Sequence, residues 1–258
     1  MRFCVLGSGS KGNSTYISAG DTAILIDAGF SGVEVQRRLD AIGVDFSTIS
    51  AIFLTHEHHD HIKGAPILSR RGKVPVFANP ATYAAAAKEL NNLYQYNEFD
   101  TGVSFQFRDL KIHPFSVSHD TADPVGFTIS DGRDTMGYCT DTGIITRLMH
   151  HRLANCRALI LESNHDPEIL KNGPYPLFLK QRVRSKKGHL ANCDAAAFIR
   201  DLLHDDLRHV ILAHISETNN CPKLAYETAI RMLGDSICRS LDISVARQDR
   251  AGDMIELR

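Results

Sequence analysis

The sequence predicts a layered α/β sandwich on three observations: short strand-like segments alternate with helical ones, each half of the chain repeats that alternation, and no linker separates the halves. In the first half the apolar or β-branched runs at 3–6, 14–18, 22–27, 51–54, 74–78, 105–107 and 111–118 read as strands. Between them, 32–42 places Val33, Leu39 and Ile42 at helical spacing, and 80–90 opens with Pro80 and is rich in alanine, so both read as helices. The second half places strands at 125–129, 135–140, 158–162, 209–213 and 243–247, and helices at 144–153, 191–203 and 222–233. No Pro/Gly/Ser-rich tract, low-complexity run or repeat period interrupts the pattern, so residues 1–258 are expected to form one domain.

Composition narrows the function classes. A chain with 43% hydrophobic and 23% charged residues has the make-up of a packed protein. Its formal net charge of -1 exerts no global pull toward nucleic acid or membrane, so any such attraction must be local. Six cysteines (Cys4, Cys139, Cys156, Cys193, Cys221 and Cys238) show no C-x-x-C pair and no framework spacing, which reads as reduced thiols. The apolar run 1–6 is too brief for a signal-peptide core, and no stretch reaches membrane-spanning length. A cytoplasmic location without membrane association is therefore expected.

Chemistry concentrates directly after the apolar run 50–54. His56, His58, Asp60 and His61 form H-x-H-x-D-H, four potential metal ligands within six residues. In an extended segment His56 and His58 share one side, and Asp60 and His61 can face the same cavity as the chain turns into a helix. Other candidate ligands sit at strand ends: His119 after 112–118, Asp141 after 136–140 and His214 after 210–213. His59 occupies the variable position of the motif and is not counted as a ligand. Cys139, two residues before Asp141, is expected to face the core. The run Gly7-Ser8-Gly9-Ser10-Lys11-Gly12 matches G-x-G-x-x-G, but the alternating, β-branched 14–18 follows where a dinucleotide site needs a helix. A tight loop at the edge of the site is the better reading.

In this order an early Asp (Asp27, within Ile24-Leu25-Ile26-Asp27-Ala28-Gly29), H-x-H-x-D-H, a lone His, a lone Asp and a final His resemble the metallo-β-lactamase superfamily. That resemblance spans nearly the whole chain and implies a four-layer αββα sandwich. It further implies one metal ion held by His56, His58 and His119, a second by Asp60, His61 and His214, with Asp141 bridging them and Asp27 behind the ligands. Imidazole and carboxylate donors without thiolate suit two divalent ions, zinc or manganese, with iron also compatible. Within the superfamily the chain is similar to the YycJ/WalJ group, related to ribonuclease Z. The matching segments are 7–14, Ser118-His119-Asp120, Pro124-Val125-Gly126-Phe127, Glu162-Ser163-Asn164-His165-Asp166 and Gly188-His189-Leu190-Ala191-Asn192.

The metal centre cannot by itself choose a substrate, because phosphodiesters, thioesters and lactams are hydrolysed on the same donors. Lys180, Arg182, Arg184, Lys186 and Lys187 place five cations just ahead of His189. A charge run is usually a solvated helix face. Beside a segment that the resemblance places at the active site, it reads instead as a grip on strand phosphates, with Ser10, Asn13 and Asn192 lining the pocket. Asp60, His189 and His165 are the catalytic residues that the resemblance implies: His189 donates to a phosphate or leaving oxygen, and His165 is given a similar role, against the alternative that 164–166 caps a helix starting at Pro167. The leading expectation is a two-metal phosphodiesterase acting on nucleic acid, DNA ahead of RNA, working as a 5′ to 3′ exonuclease with a metal-bridging hydroxide as nucleophile. The alternatives are a small-molecule hydrolase, resembling glyoxalase II or a cyclic-nucleotide phosphodiesterase, and an inactive metal-bound nucleic-acid-binding protein.

Overall fold

The computed structural model describes residues 1–234 and 240–257; Cys238 lies outside them. The chain divides into two compact units, one comprising Met1–Pro114, Thr121–Val125 and the stretch from Arg247 on, the other Phe115–Asp120 and Gly126–Ala246.

The first unit begins with β1 (Arg2–Gly7), β2 (Ser14–Ala19) and β3 (Thr22–Ile26), continues through α1 (Gly32–Ala41), β4 (Ala51–Phe53), α2 (His59–Ile62), α3 (Ala65–Gly72), β5 (Val76–Ala78), α4 (Pro80–Ala85) and β6 (Tyr96–Glu98), and reaches the hairpin β7 (Phe105–Phe107) and β8 (Leu110–Ser116). The second unit contains β9 (Val125–Ser130), β10 (Thr135–Cys139), α5 (Arg147–Leu153), β11 (Ala158–Glu162), α6 (Pro167–Asn172), α7 (Leu177–Val183), α8 (Asn192–Asp201), β12 (His209–Ala213), α9 (Pro222–Leu233) and β13 (Asp242–Val245). A last strand, β14 (Ile255–Glu256), returns to the first unit and pairs with β1.

The sheet of the first unit runs β14-β1-β2-β3-β4-β5-β6. Its β1-β2-β3 meander is antiparallel, and the strands from β3 to β6 are parallel. Every residue of β2 and β3 is buried, as expected for strands covered on both faces. The glycine-containing loop after β1 leads into β2, so the strand predicted there is present and a dinucleotide fingerprint is excluded. The core of this unit gathers Leu6, Leu25, Val35, Leu39, Ile52, Leu54, Ile62 and Leu68. Beside it, Phe53 stacks on Phe77 at 4.6 Å between ring centroids and meets Phe107 edge-on at 5.4 Å.

In the second unit β9 pairs antiparallel with β10, while β10, β11, β12 and β13 run parallel. Leu153, Leu161, Leu212, Phe198, Ile199 and Ala229 bring α5, α8 and α9 onto this sheet. Cys139 is fully buried in the same core, as the sequence suggested. The remaining described cysteines, Cys4, Cys156, Cys193 and Cys221, are likewise free thiols.

Parallel strands collect functional groups at their carboxyl ends, where the chain leaves the sheet. Asp27 follows β3, the H-x-H-x-D-H run follows β4, Asp141 lies two residues past β10, Glu162 ends β11 and His214 follows β12. Three of the six described non-glycine residues with positive φ fall among them: Asp27 at 60°, Asp141 at 56° and His214 at 55°. Left-handed backbone at such residues is uncommon and concentrates where function fixes a side chain. The pattern-based reading missed α3, β6, α7 and β14, and it extended the alanine-rich helix to 90 although it closes at Ala85.

Phe53 is fully buried and stacks on Phe77. Phe53→Ala is expected to lower the free energy of unfolding by about 3–5 kcal/mol, read from urea denaturation followed by far-ultraviolet circular dichroism.

Candidate metal centre

In the first unit β3 and β4 are in register as Ile26↔Phe53, so the residues that follow them emerge side by side. Asp27 is wholly buried and accepts three hydrogen bonds: from Thr55 N to Oδ1 at 2.9 Å, from the Thr55 hydroxyl to Oδ2 at 2.9 Å, and from His61 Nδ1 to Oδ2 at 2.7 Å. Because the Thr55 hydroxyl spends its one proton on Asp27, its oxygen is an acceptor toward His56 Nδ1, 2.9 Å away. One carboxylate therefore sets the tautomer of two imidazoles, putting the proton of each on Nδ1 and the lone pair on Nε2. Burial pushes the Asp27 carboxyl up from its ordinary value, and the His61 and Thr55 donors pull it back toward ionisation.

The four motif residues lie close together in the first unit. His56 lies 4.8 Å from His58 and 4.0 Å from His61 between ring centroids, and His61 Nε2 is 3.5 Å from Asp60 Oδ2. His58 occupies the N-cap position of α2 without a side-chain cap bond, the first turn of α2 holds Asp60, and His59 is exposed. Asn13 was expected to contact substrate, and the structure corrects this: it is wholly buried. Its amide nitrogen donates to Asp60 Oδ2 at 3.2 Å and meets His61 Nε2 at 3.0 Å, while its oxygen receives the Gly9 N–H and the Ser8 hydroxyl. Asn13 thus ties the glycine loop to the motif. Gly29 permits this packing, since a Cβ there would collide with the Asp60 carbonyl. Ser10, on the same loop, is exposed.

The second unit repeats the arrangement with a different carboxylate. Strand register pairs Glu162 with Ala213, which puts Glu162 beside the following His214. Glu162 is fully buried; Oε1 accepts from His189 Nδ1 at 2.8 Å and His214 Nδ1 at 2.9 Å, and Oε2 accepts from the backbone N–H of Thr142 and Leu190 at 2.9 and 3.0 Å. Burial alone would raise its carboxyl, but His189 and His214 outweigh burial and hold it well below the usual carboxylate range. His119 is anchored in the same manner, with Nδ1 on the Gly188 carbonyl at 3.0 Å. Asp141 Oδ1 lies 3.5 Å from His214 Nδ1 and 3.8 Å from both His119 Nε2 and His189 Nδ1. Ligand atoms of Asp141, Glu162, His189 and His214 all fall within 4.8 Å of one another. Sequence reasoning quoted Glu162 without giving it a role; the available signal was a carboxylate closing an apolar strand, as with Asp27.

The other expected site residues fall into two groups. Asn192 is buried, bonded to Ser163 Oγ at 2.7 Å and Asn220 at 2.8–3.0 Å, so it braces the start of α8 and cannot meet substrate as expected. The cap of α6 is Asp166, which accepts from Glu168 N and Ile169 N, so His165 is not needed for capping; its ring is 3% exposed. Within the basic run, Arg182 Nε holds Asp120 Oδ2 at 2.6 Å and Lys180 Nζ bonds the Lys171 carbonyl at 2.8 Å. Arg184, Lys186 and Lys187 are exposed. Their loop passes so close to Gly143 that a Cβ there would strike the Ser185 carbonyl.

The donors fit divalent ions: imidazoles with Nδ1 anchored, carboxylates, and no thiolate among them. Two α/β units that carry such donors at the carboxyl ends of parallel strands define a metallohydrolase. The family model for the β-lactamase superfamily domain matches residues 22–215, and the chain belongs to that superfamily of hydrolases. It is 35% identical over 235 residues to the exodeoxyribonuclease YycJ of Bacillus anthracis, covering 90% of this chain and 89% of that protein. It is 34% identical over 240 residues to the exodeoxyribonuclease WalJ of Streptococcus pneumoniae, covering 92% and 89%. Among solved structures, the metallo-β-lactamase fold protein YhfI of Bacillus subtilis superposes with a TM-score of 0.78 at 17% identity over 99% of each chain. Human tRNase Z, short form, gives 0.66 at 15% identity over 98% and 99%. The fold class expected from the sequence is therefore the observed one.

Asp27→Asn and Glu162→Gln each substitute an amide that cannot accept from all of its present donors. Either change is expected to weaken zinc or manganese binding about 10–100-fold, measured by competition with a chelating dye, while the circular dichroism spectrum is retained.

Proposed function

We propose that this protein is a two-metal DNA exonuclease that shortens strands from the 5′ end. The observation that carries the reading is the pair of buried carboxylates, Asp27 and Glu162, each orienting two imidazoles so that Nε2 is left to coordinate. His56, His58 and His119 would hold one ion and Asp60, His61 and His214 the second, with Asp141 a further ligand. Bound divalent ions would acidify a water and offset charge on a phosphoryl group. Zinc and manganese suit the donors best.

The chain's own residues supply the rest. His189, held at Nδ1 by Glu162 and 21% exposed, would act as the acid toward the departing oxygen from Nε2 in its doubly protonated form, with the Glu162 carboxylate stabilising that imidazolium. Arg184, Lys186 and Lys187 offer three exposed charges for strand phosphates, and Arg182 fixes Asp120. Phe178, 71% exposed on the same helix as Arg182, presents a face on which a base can stack. The choice of DNA over RNA follows the names of the relatives that match over nine-tenths of the chain. No described helix is long and apolar enough to cross a membrane, and the free cysteines suit the cytoplasm we assign.

Purified protein supplied with manganese or zinc is expected to release nucleotides progressively from 3′-labelled DNA, and Asp60→Ala to abolish release. Equal background cleavage by both proteins would refute the reading. Replacing both Lys186 and Lys187 by Ala is expected to weaken DNA binding and to reduce the slope of log affinity against log salt by about 2.

A further inference from the structure

A cleft of about 290 Å³ within the second unit is lined by His165, Arg184, His189, Lys171 and the first turn of α8 at Ala191 and Cys193. Only His189 among these belongs to the cluster around Glu162. His165 is fixed by its backbone, which bridges to Ala191 and accepts from Asn192 N at 2.9 Å. His165 is 3% exposed, and among the described residues its Nδ1 has no hydrogen-bond partner, a costly arrangement for a polar atom unless a ligand completes it. Burial draws its pKa down to about 4, so the ring is neutral at pH 7 and offers hydrogen bonds without charge.

Charge comes from Arg184, which is exposed and, among the described residues, pairs with no carboxylate, in contrast to Arg182 on Asp120. The helix α8 is ten residues long and starts from Ala191, whose side chain cannot cap it, so its N-terminal end opens onto the cleft with positive polarity. Two carboxylates also border the space. Glu168 is engaged by Lys171 at 3.8 Å, and Asp194, the acidic residue in the first turn of α8, is exposed to solvent and offsets part of that polarity. The balance of an unpaired guanidinium, an open helix start and an unsatisfied buried imidazole favours an anion with several acceptor oxygens.

We infer that this cleft is a phosphate subsite, distinct from the metal ligands, that holds the phosphate next to the one being cleaved. The inference rests on the nuclease reading above. Arg184 supplies the charge, α8 its N-terminal dipoles, and His165 a neutral hydrogen bond. His189 stands between this subsite and the Asp141 cluster, 3.8 Å from Asp141 Oδ1, so a strand lying in the cleft delivers its neighbouring phosphate to His189.

The test is anisotropy of a fluorescein-labelled hexathymidylate bound to the full chain in chelator, where no cleavage occurs, with inorganic phosphate as competitor. Wild type is expected to bind, and phosphate to displace the strand. Arg184→Ala is expected to weaken binding at least about fivefold and to lower the salt slope by about 1. His165→Asn, checked for folding by thermal melting, is expected to weaken binding and to blunt the phosphate competition without changing the salt slope. Variants that bind and compete as wild type does would overturn the subsite even if the protein degrades DNA. Phosphate binding that depends on Arg184 in a protein that neither binds nor degrades DNA would overturn the assignment to a nucleic-acid strand.

Discussion

The structure depends on one repeated interaction: a buried carboxylate at the end of a parallel strand accepting from imidazole Nδ1. Asp27 reaches His61 directly and His56 through the Thr55 hydroxyl; Glu162 reaches His189 and His214 with a single oxygen. Burying a carboxylate is expensive, and each of these is compensated by backbone N–H donors as well as by histidine. The outcome is a set of imidazoles whose proton position is decided before any ligand arrives. Preorganisation of this kind spares the cost of ordering ligands at the moment of binding.

Strand register is what makes the interaction possible. Ile26↔Phe53 places Asp27 beside the start of the metal-ligand motif, and Glu162↔Ala213 places Glu162 beside His214. A slip of one residue would turn each carboxylate to the opposite face. The left-handed backbone at Asp27, Asp141 and His214 falls at the same strand ends, where function fixes side chains.

Much of this was legible in the chain itself. The apolar runs before Asp27, His56, Asp141 and His214 marked the strands, and spacing alone singled out the H-x-H-x-D-H residues as a candidate site. The roles of asparagines were not legible, because Asn13 and Asn192 look like pocket residues in a polar loop until their neighbours are known. In the fold they are buried braces with every polar atom committed. Glu162 carried a readable signal, a carboxylate closing a hydrophobic strand, but its partners lie 27 and 52 residues away and no local pattern reports them. Charge runs mislead in a related manner: Arg182 and Arg184 are alike in sequence and both exposed, yet Arg182 is bound to Asp120 and Arg184, among the described residues, pairs with no carboxylate.

The central claim is that buried carboxylates fix the histidine tautomers independently of metal. Long-range proton–nitrogen correlation spectra of the metal-free protein at neutral pH, labelled with nitrogen-15 in histidine, report it directly. His56, His61 and His214 are expected to carry their proton on Nδ1 and leave Nε2 unprotonated, with His61 losing that preference in Asp27→Asn. Signals showing these rings predominantly protonated at Nε2 in the wild-type protein would contradict it.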